Sequence, residues 1–154
     1  MNFEKKLRKE FTMMSEGKSI YELKFGDSAQ FTKTVTETDI NDFARVTGDF
    51  NPIHIDQAYA EKTRFKGRIA HGVLSLGLIS NVFGNLLPGP GSIYLSQEVR
   101  FLAPVRIGDT LTARVEVIEL ITEKNRVKFK TTCTNQNGQE VLDGIAWTMP
   151  PRKE

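Results

Sequence analysis

From His71 to Leu87 the chain carries no charged side chain, and this stretch limits the fold more than any other. Val73, Leu74, Leu76, Leu78, Ile79, Val82, Phe83, Leu86 and Leu87 fall on every side of a helical wheel, so the spacing predicts a helix buried by its surroundings. The stretch is shorter than the roughly 20 residues that cross a bilayer. Gly72, Ser75, Gly77, Ser80 and Gly84 interrupt it with small side chains, as suits close approach of strands or a ligand. Pro88-Gly89-Pro90-Gly91 ends it.

Beyond that helix the chain reads as sheet. Segments 92–105, 110–123, 126–135 and 140–149 are rich in Val, Ile, Thr and Phe with alternating apolar positions. Asn137-Gly138, Lys124-Asn125 and Gly108-Asp109 are the expected hairpin turns. Ahead of the helix, a first strand is expected over 29–35. A helix is expected over 37–47, because Thr36 and Asp39 have capping-box spacing and Ile40, Phe43, Ala44 and Val46 come next at helical spacing. Gly48 and Pro52 close that helix, a loop carries Asp49, Asn51 and His54, and a further helical piece is expected over 55–62. The order predicts an α+β domain in which a curved antiparallel sheet wraps a central buried helix.

A chain of 154 residues is long enough to bury about 70% of its unfolded surface in one core. With 21 basic and 19 acidic residues the net charge of +2 is too small to draw in nucleic acid or a membrane surface. The single Cys133 sits in an alternating run, where a buried thiol and a reducing, cytoplasmic setting are expected. Residues 1–24 read as a leader before a domain over 25–154. Phe3, Leu7, Phe11 and Met14 predict an amphipathic helix in its first half, and residues 15–26 show no regular period.

Two places carry chemistry. In Gly48-Asp49-Phe50-Asn51-Pro52-Ile53-His54 a carboxylate and an imidazole flank a rigid turn, an arrangement that can hold one water between a proton acceptor and a partner. The same residues also make an ordinary turn. At His71-Gly72 a helix begins, and its unpaired N–H groups beside a glycine suit a developing oxyanion; packing and capping explain the pair equally well. Two histidines far apart in the sequence make a poor zinc site, and no metal is expected. Arg64, Lys66 and Arg68 form either a solvated connector or a phosphate contact.

Taken together, Gly48 to His54, Ala70-His71-Gly72-Val73-Leu74 with Ser80, the run Leu87 to Tyr94, and Phe101, Pro104, Val105, Gly108 and Asp109 resemble the MaoC-like (R)-specific enoyl-CoA hydratases, over about 25–149. The resemblance implies a single hot-dog fold acting as a homodimer or dimer of dimers. It also implies syn addition of water to trans-2-enoyl-CoA, giving (R)-3-hydroxyacyl-CoA, with coenzyme A as part of the substrate and no separate cofactor. By motif matching, Asp49 and His54 are the catalytic pair, the N–H of Gly72 is the oxyanion donor, and Asn51 and Ser80 are supporting polar positions. The sequence leaves open whether the acyl carrier is coenzyme A or acyl carrier protein. A dehydratase of fatty-acid synthesis would use the same residues in reverse, whereas a thioesterase or a non-catalytic acyl-binding subunit would not need the pair.

Overall fold

The computed structural model describes residues 2–6 and 16–153. Five strands form one antiparallel sheet: β1 (Ser28–Thr34), β2 (Ile93–Phe101), β3 (Thr110–Ile121), β4 (Arg126–Thr134) and β5 (Glu140–Met149), in the spatial order β1-β3-β4-β5-β2. Between β1 and β2 come α1 (Glu37–Thr47), α2 (Pro52–Ile55), α3 (Gln57–Glu61) and α4 (Gly72–Asn85). Strand β3 shows why the sheet has a wet and a dry side. Leu111, Ala113, Val115 and Val117 are buried while the residues between them are partly exposed, the period-2 pattern of a sheet with one face on the core.

Helix α4 lies against that dry face. Leu74, Leu78, Ile79, Val82 and Phe83 pack on Leu111, Val115, Phe129, Leu142 and their neighbours, and Phe83 meets the Phe129 ring edge-on at 5.0 Å between centroids. The sheet covers one side of the helix only. Val73, Gly77, Ser80 and Gly84 form a stripe that is exposed, and neither Gly77 nor Gly84 has any atom within 4 Å of the place a Cβ would take. The small residues therefore divide into two sets. Gly72 and Ser75 do bring strands close, whereas Gly77, Ser80 and Gly84 face away from the sheet. Pro88 to Gly91 ends the helix as expected. Its peptides pack on Gly17 and Pro151, and Ser92 Oγ donates to the Phe83 carbonyl at 2.8 Å, which places the loop away from the cavity that His54 and Gly72 line.

Other expectations shift by small but meaningful amounts. Gly108 turns the chain with φ of +90°, yet no hairpin forms there, because β2 pairs with β5 while β3 pairs with β1 and β4. The turn is held by Val35 instead, through hydrogen bonds of 2.8 Å in each direction. Asn125 and Gly138, both at positive φ, make the two true hairpins. Residues 16–24 are more than a lead-in, since Ile20 and Leu23 belong to the core. Residues 3–6 form a helical turn with Phe3 exposed, and the Leu7, Phe11 and Met14 positions of the expected helix lie outside the described residues. No helix among the described residues is long and apolar enough to cross a membrane.

Candidate active site

Helix α1 delivers the first candidate residue. The capping box closes with Asp39 N–H donating to Thr36 Oγ1 at 3.2 Å and Thr36 N–H donating to Asp39 Oδ2 at 2.9 Å, and Gly48 at φ of +77° ends the helix in the left-handed conformation. The chain leaves that turn with Asp49, whose Oδ1 accepts from the Asn51 N–H at 3.2 Å. Asn51 in turn caps α2, its Oδ1 accepting from the Ile53 N–H at 3.3 Å, and Pro52 occupies the first helical position. His54 is thus carried by a helical turn, where a plain loop was expected. Pro52 and the Asn51 cap favour that turn locally, too short a signal to separate from a loop by periodicity.

The imidazole of His54 is half-buried, and its Nδ1 lies 2.8 Å from the Ile69 carbonyl oxygen. A carbonyl only accepts, so Nδ1 carries the hydrogen and Nε2 presents its lone pair. Burial is the main cause that holds the His54 pKa below its ordinary 6.5. The neighbouring His71 pushes the same way, while the Ile69 bond and the Asp49 charge oppose. The ring is accordingly neutral at neutral pH.

His71, read from the sequence only as a helix-start residue beside Gly72, stands against the Asp49–His54 pair, which the sequence did not show. It immediately precedes α4 and its side chain makes no cap hydrogen bond, so capping does not explain it. Its Nε2–H donates to the backbone oxygen of Asp49 at 3.0 Å, and the same nitrogen lies 4.0 Å from Asp49 Oδ2. The rings of His54 and His71 stand 3.9 Å apart, centroid to centroid. The two histidines are therefore neighbours, contrary to the expectation from their spacing. The segment Ile69 to His71 runs back along α2, with Ile69 N–H donating to the Ile53 carbonyl at 3.3 Å, and this return brings the rings together.

One ligand atom from each of Asp49, His54 and His71 falls within 4.8 Å of the others. The bonds to the Ile69 and Asp49 carbonyls each occupy one ring nitrogen, leaving His54 Nε2 and the buried Nδ1 of His71, so a metal would compete with these bonds or have to reach a buried atom.

Gly72 opens α4, where the first amides have no acceptor within the helix. A Cβ on Gly72 would stand 2.8 Å from Cδ1 of Phe101, so only glycine fits here without displacing that ring. His54 and Gly72 line one cavity of about 320 Å³, with Val73, Ser75, Phe101 and Val141 among its walls. His54 and Gly72 thus share one cavity, and Asp49 stands beside His54 and His71 without being among the residues that line it. Asn51 is an exposed cap and Ser80 lies on the open stripe of α4, outside the cavity lining. Of the basic connector, Arg64 lines the cavity, Lys66 is exposed, and Arg68 is spent inside the protein on His54, Glu37 and Asn41.

An antiparallel sheet folded over one helix, with an imidazole and that helix's N-terminus lining one cavity and a carboxylate beside the imidazole, defines a hot-dog protein with a candidate polar site. The MaoC like domain matches residues 24–139, and the chain belongs to that family. It is 52% identical over 132 residues, covering 86% of this chain and 91% of the relative, to an (R)-specific enoyl-CoA hydratase of Rhodospirillum rubrum. It is 44% identical over 144 residues, covering 92% and 91%, to a 3-hydroxybutyryl-CoA dehydratase of Methylorubrum extorquens. The solved R-hydratase PhaJ1 from Pseudomonas aeruginosa superposes with a TM-score of 0.84 at 47% identity, covering 89% of this chain and 88% of that one.

Proposed function

We propose that this protein is an (R)-specific enoyl-CoA hydratase, a hydro-lyase that adds water reversibly and on one face to trans-2-enoyl-CoA. The observation that carries the reading is the shared cavity: a neutral His54 and the N-terminus of α4 at Gly72 line the same space, and Asp49 stands beside His54. The thioester carbonyl sits at the Gly72 N–H, which makes Cβ electrophilic. A water held between the Asp49 carboxylate and His54 Nε2 gives its proton to the pair as its oxygen bonds to Cβ. The Cα–Cβ π electrons shift toward the thioester oxygen, where the N–H and the helix end stabilise the charge. The enolate then takes a proton from the pair at Cα on the same face, so water is added with nothing left over. Asp49 and His54 work as one coupled proton carrier.

The acyl carrier is coenzyme A, with Arg64 on the cavity wall and exposed Lys66 two residues on free for its phosphates, now that Arg68 is internally bonded. Assembly as a homodimer or dimer of dimers is supported by the two edge strands β1 and β2, by the open stripe of α4, and by exposed Ile93, Leu95 and Phe101 on β2. A cytoplasmic setting is supported by the single buried thiol.

Hydration of crotonyl-CoA, followed by loss of enoyl-thioester absorbance and chiral analysis of the product, tests the reading. (R)-3-hydroxybutyryl-CoA alone, syn-deuterated at Cα in D₂O, is expected. An (S) or racemic product, or free coenzyme A without a hydroxyacyl product, overturns it, and turnover of acyl carrier protein thioesters alone assigns the carrier differently.

A further inference from the structure

The hydration chemistry needs a fixed distance between carboxylate and imidazole, yet Asp49 stands on a turn with its side chain 51% exposed. Its own turn supplies only weak ties: Asp49 N–H donates to Thr47 Oγ1 at 3.2 Å, and Oδ1 accepts from Asn51 at the same distance. The tie to the interior comes from His71, which is nearly fully buried and donates from Nε2 to the Asp49 backbone oxygen at 3.0 Å. The same ring lies between Phe43, at 4.7 Å, and the His54 imidazole, at 3.9 Å between centroids. Its Nδ1 is buried with no hydrogen-bond partner. A side chain placed only to fill space would be apolar, because burying a polar nitrogen without a partner carries a cost.

We infer that His71 is a positioning residue for both members of the pair: its N–H fixes the Asp49 main chain while its ring backs the His54 imidazole, and together these set the gap in which one water is held. His71 touches no reacting atom; it acts through the two residues that do. Because it directly precedes Gly72, the same residue also joins the oxyanion end of the site to the proton-transfer end. The kinetic consequences rest on the hydratase reading, whereas the mechanical ones do not.

The test compares two variants of the full chain. His71→Phe keeps a ring against His54 and removes the N–H. His71→Gln loses the ring but keeps an amide N–H at similar reach. With crotonyl-CoA, His71→Phe is expected to lower kcat by roughly 10²-fold, the scale of a misplacement of about 1 Å, with KM little changed. His71→Gln is expected to recover part of that loss, the remainder reporting the missing ring contact with His54. Hydrogen–deuterium exchange over residues 48–54 should accelerate in His71→Phe and stay near wild type in His71→Gln, with α4 and β3 unaltered in both. Should His71→Phe fail to fold, His71→Asn replaces it, its amide being too short to reach the Asp49 carbonyl. Wild-type kcat in His71→Phe, or equal losses in the Phe and Gln variants, overturns the inference. So does exchange that rises evenly along the chain. A wild-type protein that turns over no enoyl thioester removes the hydratase reading alone, and the exchange comparison still decides the role of His71.

Discussion

The guanidinium of Arg68 donates from Nε to the backbone oxygen of His54 at 2.6 Å, and its two other nitrogens reach Glu37 and Asn41 on α1. A residue in a basic connector thus locks the turn that carries the imidazole to the helix that delivers Asp49. Its side chain is 8% exposed while Glu37 is 61% exposed, so the bond to the His54 carbonyl is the shielded one and the bonds to Glu37 and Asn41 are open to water.

Arg68→Ala should destabilise the fold by about 1–3 kcal/mol, since three acceptors lose a partner and one of them is a carboxylate. Arg68→Lys should recover little, because an ammonium cannot reach in three fixed directions. Urea denaturation with a constant slope checks both; equal stability of Arg68→Ala and wild type would show that the three bonds are replaced by water.

Asp49→Asn and His54→Ala should each lower kcat by about 10²-fold or more with an unchanged circular dichroism spectrum. Residues that share one water do not contribute additively, so the double variant should be little worse than the poorer single one. Near-normal turnover in either single variant would withdraw that residue from proton transfer.

In the proposed mechanism the pH profile is set by His54. Its pKa is held below 6.5, and the site needs the ring neutral with Nε2 open, so activity is retained above that lowered pKa and lost as pH falls through it. The acidic limb of log kcat/KM should therefore bend below pH 6.5. A limb centred above that value would mean that another group controls the step.

Gly72→Ala places a methyl against the Phe101 ring at 2.8 Å, a contact that something must relieve. Phe101 is half exposed and its ring can turn, so the fold should survive at a cost of about 1–3 kcal/mol. The displaced N–H should then lower kcat by roughly 10–10²-fold. Steady-state kinetics of Gly72→Ala beside Gly72→Ala/Phe101→Ala should show partial recovery in the double variant if the ring clash is the cause.

Cys133 is buried, its thiol pushed up to about 12 by loss of hydration, and it lies 3.6 Å from the Ser75 carbonyl. Iodoacetamide at pH 8 should leave it unmodified in the native protein and label it after unfolding, as intact mass would show. Rapid native labelling would mean that β4 opens under these conditions.

Elements governed by local signals could be read from the chain directly. Helix α1 begins and ends where the Thr36–Asp39 box and Gly48 put its caps, β5 spans the expected residues, and Gly138 and Asn125 turn their hairpins, because each signal acts within a few residues of the element it shapes. Asp49, His54 and Gly72 were legible as candidates for the same reason, each lying in a short motif whose chemistry is tied to its spacing. Features that join residues distant along the chain emerge only on folding. Nothing local shows that β2 passes over to β5, that one stripe of α4 stays open, or that Ile20 enters the core. His71 belongs with these. It lies 22 residues from Asp49 and meets it because Ile69 folds back on Ile53, and such a contact is specified by the packing of the whole domain, which no window of sequence contains.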